Sequence, residues 1–84
     1  MKLAFTERAW DEYCYWQAHD RTVLKRVNRL IEDVLRNPTA GIGKPEPLRH
    51  MASDVWSRRI TEEHRLVYLV ADDEITIVKA RFHY

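Results

Sequence analysis

Residues 37–47, NPTAGIGKPEP, hold all three prolines and both glycines of the chain. Proline lacks the amide proton that a helix or a central strand uses, and glycine pays the largest entropy cost on ordering. This is the only breaker-rich stretch in the chain, and it separates two halves. The half before it carries helical periodicity; the half after it reads as strands. That division predicts an α+β fold: an N-terminal strand, a two-helix pair, then antiparallel strands forming a sheet packed on the helices. With 84 residues there is material for one small domain, 1–84.

In the first half, KLAF (2–5) reads as a short strand. Thr6 is placed to cap a helix over 7–19, with Glu7 in the first turn where the helix dipole favours an acid. Trp10, Tyr13, Cys14 and Gln17 follow at helical spacing with Trp16 beside them, and these aromatics are expected in a core or an interface. Asp20 is placed to cap a second helix. Its stripe of Val23, Leu24, Val27, Leu30, Ile31, Val34 and Leu35 is the clearest periodicity in the chain, and Asn37-Pro38 must end it.

In the second half, 54–61 and 64–71 read as an antiparallel hairpin linked around Glu62 and Glu63. A turn over 72–74 precedes a last strand expected to run over 75–84. Strict alternation puts Ile75, Ile77, Lys79, Arg81 and His83 on one side of it. Thr76, Val78, Ala80, Phe82 and Tyr84 fall on the other, which reads as the core face. The hairpin is expected to bring Arg65, and Arg59 with it, beside Arg81 and His83.

The formal net charge is +1 and the sequence pI about 7.9, so the whole chain is no magnet for a polyanion. The charge is unevenly distributed, however: Arg21, Lys25, Arg26 and Arg29 stand together in 21–29 with no acid among them. The single cysteine, Cys14, excludes an internal disulfide and fits a reducing cytoplasm; no run is long enough to span a membrane. No metal site is expected, since His19, His50 and His64 are scattered without ligand spacing. A Gly-rich phosphate loop is also missing.

Cleavage of RNA without a metal requires a base for the ribose 2′-OH, an acid for the departing 5′-oxygen, and cations for the charge that builds at phosphorus. The chain contains each type: Glu46 as a carboxylate base, His83 as an imidazole acid, Arg65 as a planar fork of donors, and Tyr84 to stack on a base. Lys44 and Arg49 flank Glu46. Each residue also has a plain structural reading. His83 can be a solvated strand end, Glu46 a rigid loop residue between prolines, Arg21, Lys25 and Arg29 the wet face of a helix, and Arg58, Arg59 and Arg65 cross-strand partners of Glu62 and Glu63.

GKPEPLRH (43–50), WSRRITEEHRLVY (56–68), the ending RFHY and the opening MKLAFTERAWDEYCYWQ together resemble the YoeB toxins of the RelE superfamily over nearly the whole chain. The resemblance implies a microbial-RNase-like α+β fold and a ribosome-dependent mRNA endonuclease that needs no cofactor. It implies Glu46 as general base, His83 as general acid, Arg65 as phosphate stabiliser and Tyr84 as a substrate-positioning residue, with Arg59 a further family arginine. Position 49, often lysine in relatives, is Arg49 here. The implied partners are a YefM-like antitoxin and the ribosome, and a homodimer is an option. Separately, the basic face of Arg21, Lys25 and Arg29 is expected to meet ribosomal RNA, since phosphate contacts supply most non-specific affinity. The rival reading is a non-catalytic module that binds the ribosome or nucleic acid and blocks translation or transcription. Alternation would set His83 and Tyr84 on opposite sides of the last strand, so a shared site needs a bend near the end.

Overall fold

A computed structural model describes residues 1–52 and 54–82. The elements run β1 (Lys2–Phe5), α1 (Glu7–His19), α2 (Arg21–Arg36), β2 (Glu46–Pro47), β3 (Val55–Arg59), β4 (Arg65–Ala71) and β5 (Glu74–Lys79). Both helices begin where the sequence places caps. The Thr6 side chain accepts from Ala9 N, and Asp20 Oδ1 accepts from Thr22 N and Val23 N, all at 3.1 Å. The stripe on α2 is the buried one: Val27, Leu30, Ile31 and Val34 lie in the main core with Leu66, Tyr68, Ile75 and Ile77 of the sheet.

The five strands form one sheet in the order β1-β5-β4-β3-β2. The β3–β4 hairpin is antiparallel as expected, and β1 adds to the far edge parallel to β5. The helical pair covers one face. On the other face Leu48, Val55 and Val67 make a small second cluster, with Val78 against it. No helix among the described residues is long and apolar enough to cross a membrane.

One expectation about burial fails and another is met in part, since Trp16 is in the core and Tyr13 packs against it. The buried face of α1 is Ala9, Glu12 and Trp16, whereas Trp10 is exposed and stacks on Tyr13. A carboxylate is tolerated there because Glu12 is satisfied on both oxygens, by Ala80 N at 2.8 Å and by Arg8 Nε at 3.1 Å. Hydropathy spacing cannot reveal a buried acid that is paired in this way. The last strand likewise does not reach residue 84. Val67 pairs with Lys79 while Tyr68 pairs with Ile77, which leaves Val78 as an extra residue in a β-bulge. The bulge changes the parity of the strand. Ile75 and Ile77, not Thr76 and Val78, face the helices, as does their neighbour Tyr68 on β4, and because of the bulge Ala80 returns to the same core three residues after Ile77.

The breaker-rich segment is organised by a fully buried guanidinium. Arg58 pairs with Asp33 of α2 and donates to the carbonyls of Asn37 (2.6 Å), Ala40 (2.9 Å) and Ile42 (3.1 Å). Its Nε donates to Tyr68 Oη, which donates in turn to the Pro38 carbonyl. Arg58 thus pairs across to α2 rather than with Glu62 or Glu63. Gly43 follows at φ +79, where an added Cβ would come within 2.7 Å of Leu30 Cδ2, and its carbonyl accepts from Arg59 N at 2.7 Å. Only glycine serves both the backbone angle and the close packing. Lys44, at φ +51, completes the left-handed turn that delivers the chain to β2.

Candidate active site

The face of the sheet away from the helices brings the expected residues into register. Glu46 stands opposite Ser57, Ser57 opposite Val67, and Val67 opposite Lys79, so one row crosses four strands. Arg59 and Arg65 are direct partners in the neighbouring row. Cross-strand partners share a face, so Glu46, Arg59, Arg65 and Lys79 project from the same side. Within this group Arg65 Nη1 donates to Glu46 Oε1 at 3.2 Å. Arg65 is mostly enclosed, with 17% of its side chain exposed, whereas the Glu46 side chain is 49% exposed and open to an incoming molecule.

Glu46 owes its place to the segment before it. The Arg58 cluster anchors residues 37–42, Gly43 is hydrogen-bonded to β3, and the short β2 then pairs with Ser57 and Trp56. Behind Glu46, the turn that follows Leu48 is pinned by Leu48 N donating to Val55 O at 2.8 Å. Lys44 and Arg49 are exposed on either side of Glu46 along the chain. A carboxylate held in this setting can take a proton from a bound hydroxyl. The guanidinium beside it can bind an anionic oxygen.

Other expected residues lie elsewhere. Arg81 does not join Arg65. Past the end of β5 it lies on the helical side, where its guanidinium carbon is 3.4 Å from the centroid of the Tyr15 ring. Arg21, Lys25 and Arg29 are exposed along α2, in the helical layer. His83 and Tyr84 lie outside the described residues. Among the described residues, no three His, Cys, Asp or Glu side chains come together closely enough to hold a metal ion.

Sequence reasoning missed two residues. Ser57, directly opposite Glu46, is fully buried, and its Oγ has no hydrogen-bond partner among the described residues. Nothing in the sequence marks a serine in a strand as special. His64, a scattered histidine by its spacing, packs its ring edge-on against Trp16, with centroids 4.8 Å apart, and its Nδ1 accepts from Phe82 N at 2.8 Å. No spacing in the sequence marks it, because its partner is a backbone amide 18 residues away.

Comparison with known proteins matches residues 5–84 to the model of the YoeB-like toxin of bacterial type II toxin–antitoxin systems. The chain is 56% identical over 84 residues to the toxin YoeB of Escherichia coli strain K12, covering 100% of both. Among solved structures it is similar to the YoeB dimer from Staphylococcus aureus, at 40% identity and TM-score 0.92 over 100% of this chain and 98% of that one. The heterotetrameric YoeB–YefM toxin–antitoxin complex from the same organism gives TM-score 0.89 at 40% identity, with the same coverage. An open sheet face carrying a carboxylate among arginines, on a two-helix α+β scaffold matched along its full length, leads to one conclusion: the chain belongs to the YoeB-like toxin family of bacterial type II toxin–antitoxin systems.

Proposed function

We propose that this toxin is a ribosome-dependent mRNA endoribonuclease acting in the cytoplasm, on mRNA held in the ribosomal A site. The observation that carries the reading is the contact between the Glu46 carboxylate and the Arg65 guanidinium on the face away from the helices. In the proposed reaction Glu46 removes the proton from a ribose 2′-OH. The 2′-oxygen attacks the adjacent phosphorus while Arg65 donates to the non-bridging oxygens, where negative charge grows. His83 gives its proton to the 5′-oxygen as the P–O bond breaks, leaving a 2′,3′-cyclic phosphate and a free 5′-hydroxyl. Tyr84 positions the substrate, and Lys44, Arg49 and Arg59 bind flanking phosphates. Arg81, stacked on Tyr15, helps hold the chain end rather than the RNA.

Dependence on the ribosome follows from how little the site brings with it. If another machine holds the 2′-oxygen in line with the phosphorus, base, acid and guanidinium suffice. Similarity to the Staphylococcus aureus assemblies supports neutralisation by a YefM-like antitoxin and pairing as a homodimer.

The test is primer extension on translated mRNA after induction of the toxin alone. Wild type is expected to create new 5′ ends in register with codons, and Glu46→Ala and His83→Ala to abolish them. Translation arrest without new ends would leave a non-catalytic binding module as the correct description.

A further inference from the structure

Past β5 the regular pairing ends, and side chains join one remaining backbone bond to β4 in holding the segment. Ala80 N donates to Glu12 Oε1 at 2.8 Å and the Ala80 carbonyl accepts from Trp16 Nε1 at 2.7 Å, so two residues one turn apart on α1 grip both polar groups of one peptide residue. Two residues on, Phe82 N donates to His64 Nδ1 at 2.8 Å, and the Phe82 carbonyl accepts from Arg65 N at 3.0 Å. Phe82 sits at φ +65, a left-handed conformation that a residue with a side chain seldom adopts without external support. His64 is itself held in place. Its ring lies edge-on to Trp16 and tilted against Phe82, with centroids 5.7 Å apart in the second pair.

A ring nitrogen that accepts an amide proton carries none of its own. The neutral imidazole of His64 therefore bears its proton on Nε2, which faces Glu63 Oε1 at 3.5 Å. Among the described residues, the bond to Phe82 N is the side-chain restraint on the backbone nearest the end of the chain.

We propose that His64 is a positioning residue for cleavage: by accepting the Phe82 amide it holds the left-handed turn there, and so fixes the direction in which the chain enters His83 and Tyr84. This rests on the reading of His83 as the general acid. His64 touches neither substrate nor reacting atoms. It acts through the backbone that carries the acid.

The test uses programmed ribosomes and two versions of one mRNA, with either the natural 5′-oxygen or a 5′-bridging sulfur at the cleaved linkage. A thiolate departs without a proton, so the sulfur substrate does not need the acid. His64→Leu fills the space beside Trp16 but accepts no hydrogen bond, whereas His64→Asn places Oδ1 where Nδ1 stands. On the oxygen substrate His64→Leu is expected to lower kcat by about tenfold to a hundredfold with KM nearly unchanged, the size expected for a misplaced catalytic group. It should approach wild type on the sulfur substrate, and His64→Asn should stay near wild type on both. Equal impairment on the two substrates, no impairment on either, or an Asn variant as poor as the Leu variant would overturn the proposal.

His83→Ala on the same pair keeps the two readings separable. If sulfur does not rescue it, the acid assignment fails; if sulfur rescues His83→Ala but not His64→Leu, only the positioning role falls. Should His64→Leu not fold, His64→Gln carries its amide oxygen towards the Nε2 position and replaces it. In either variant, amide hydrogen exchange at Phe82 should be faster than in wild type and His64→Asn. Unchanged exchange would contradict the tether.

Discussion

Arg65 is in a position that stability alone would not select. It lies directly across from Arg59, and like charges so placed repel. Its contact with Glu46 reaches a half-exposed carboxylate, and ion pairs of that kind contribute roughly 0–1 kcal/mol to a fold. A cluster of cations with so small a structural return is suited to receiving an anion. In the proposed reaction Arg65 meets the charge that appears only in the transition state, so Arg65→Ala is expected to lower the cleavage rate by about 10²–10³. Arg65→Lys should recover only part of the loss, because an ammonium is a point charge and cannot span two phosphate oxygens. Single-turnover rates on programmed ribosomes distinguish the two; equal rates for Lys and Arg would remove the bidentate role. At this scale the sequence was readable wherever residue type carried the chemistry, as with Glu46, Arg59 and Arg65. Ser57 and His64 were not legible, because what makes them notable is a hydroxyl with no partner among the described residues in one case and a backbone contact in the other.

Among the elements, the helices could be read almost to the residue. Caps and stops are local chemistry, and Thr6, Asp20 and Asn37 act within a few residues of themselves. The end of β5 was not readable, because it depends on competition between distant parts. A bulge at Val78 and a grip from α1 draw the chain out of the ladder, and neither leaves a mark in 75–84. The breaker segment shows the same dependence. Its composition predicts a loop, but its shape comes from Arg58, which reaches it from β3 while anchored to Asp33 on α2. The hydrogen bond from Arg58, followed by that from Ile42 N, holds the Asp33 carboxyl below its usual range. Unfolded, the same carboxyl titrates near its ordinary value of about 3.9. Above that value both states are ionised and the stabilisation is complete. As pH falls through it the unfolded chain takes up the proton first, and the contribution declines until the folded carboxyl is protonated too. The urea midpoint of wild type should therefore fall more steeply below about pH 4 than that of Asp33→Asn. Parallel curves would show that acid sensitivity arises elsewhere.

The whole molecule separates two kinds of charge. Glu46, Arg59 and Arg65 stand on the sheet face away from the helices, while Arg21, Lys25 and Arg29 are exposed on the helical layer. With extents of 32 × 25 × 21 Å, the chain is thin enough for one face to rest on ribosomal RNA while the other meets mRNA. This resolves the tension of a net charge of only +1 on a proposed ribosome binder. Total charge governs steering from afar, but bound phosphates respond to the few cations that displace their counterions. The basic stripe was visible in the sequence; its place on the layer remote from Glu46 became visible only once the helices were packed. If three phosphate contacts are made there, converting all three residues to Glu should reduce the slope of log affinity against log salt by about 2–3, since each contact contributes roughly 0.7–0.9. Ribosome co-sedimentation between low and moderate salt measures that slope directly. A triple variant that binds as wild type does, with the same salt dependence, would move the contact away from α2 and leave the sheet face as the remaining place for RNA to bind.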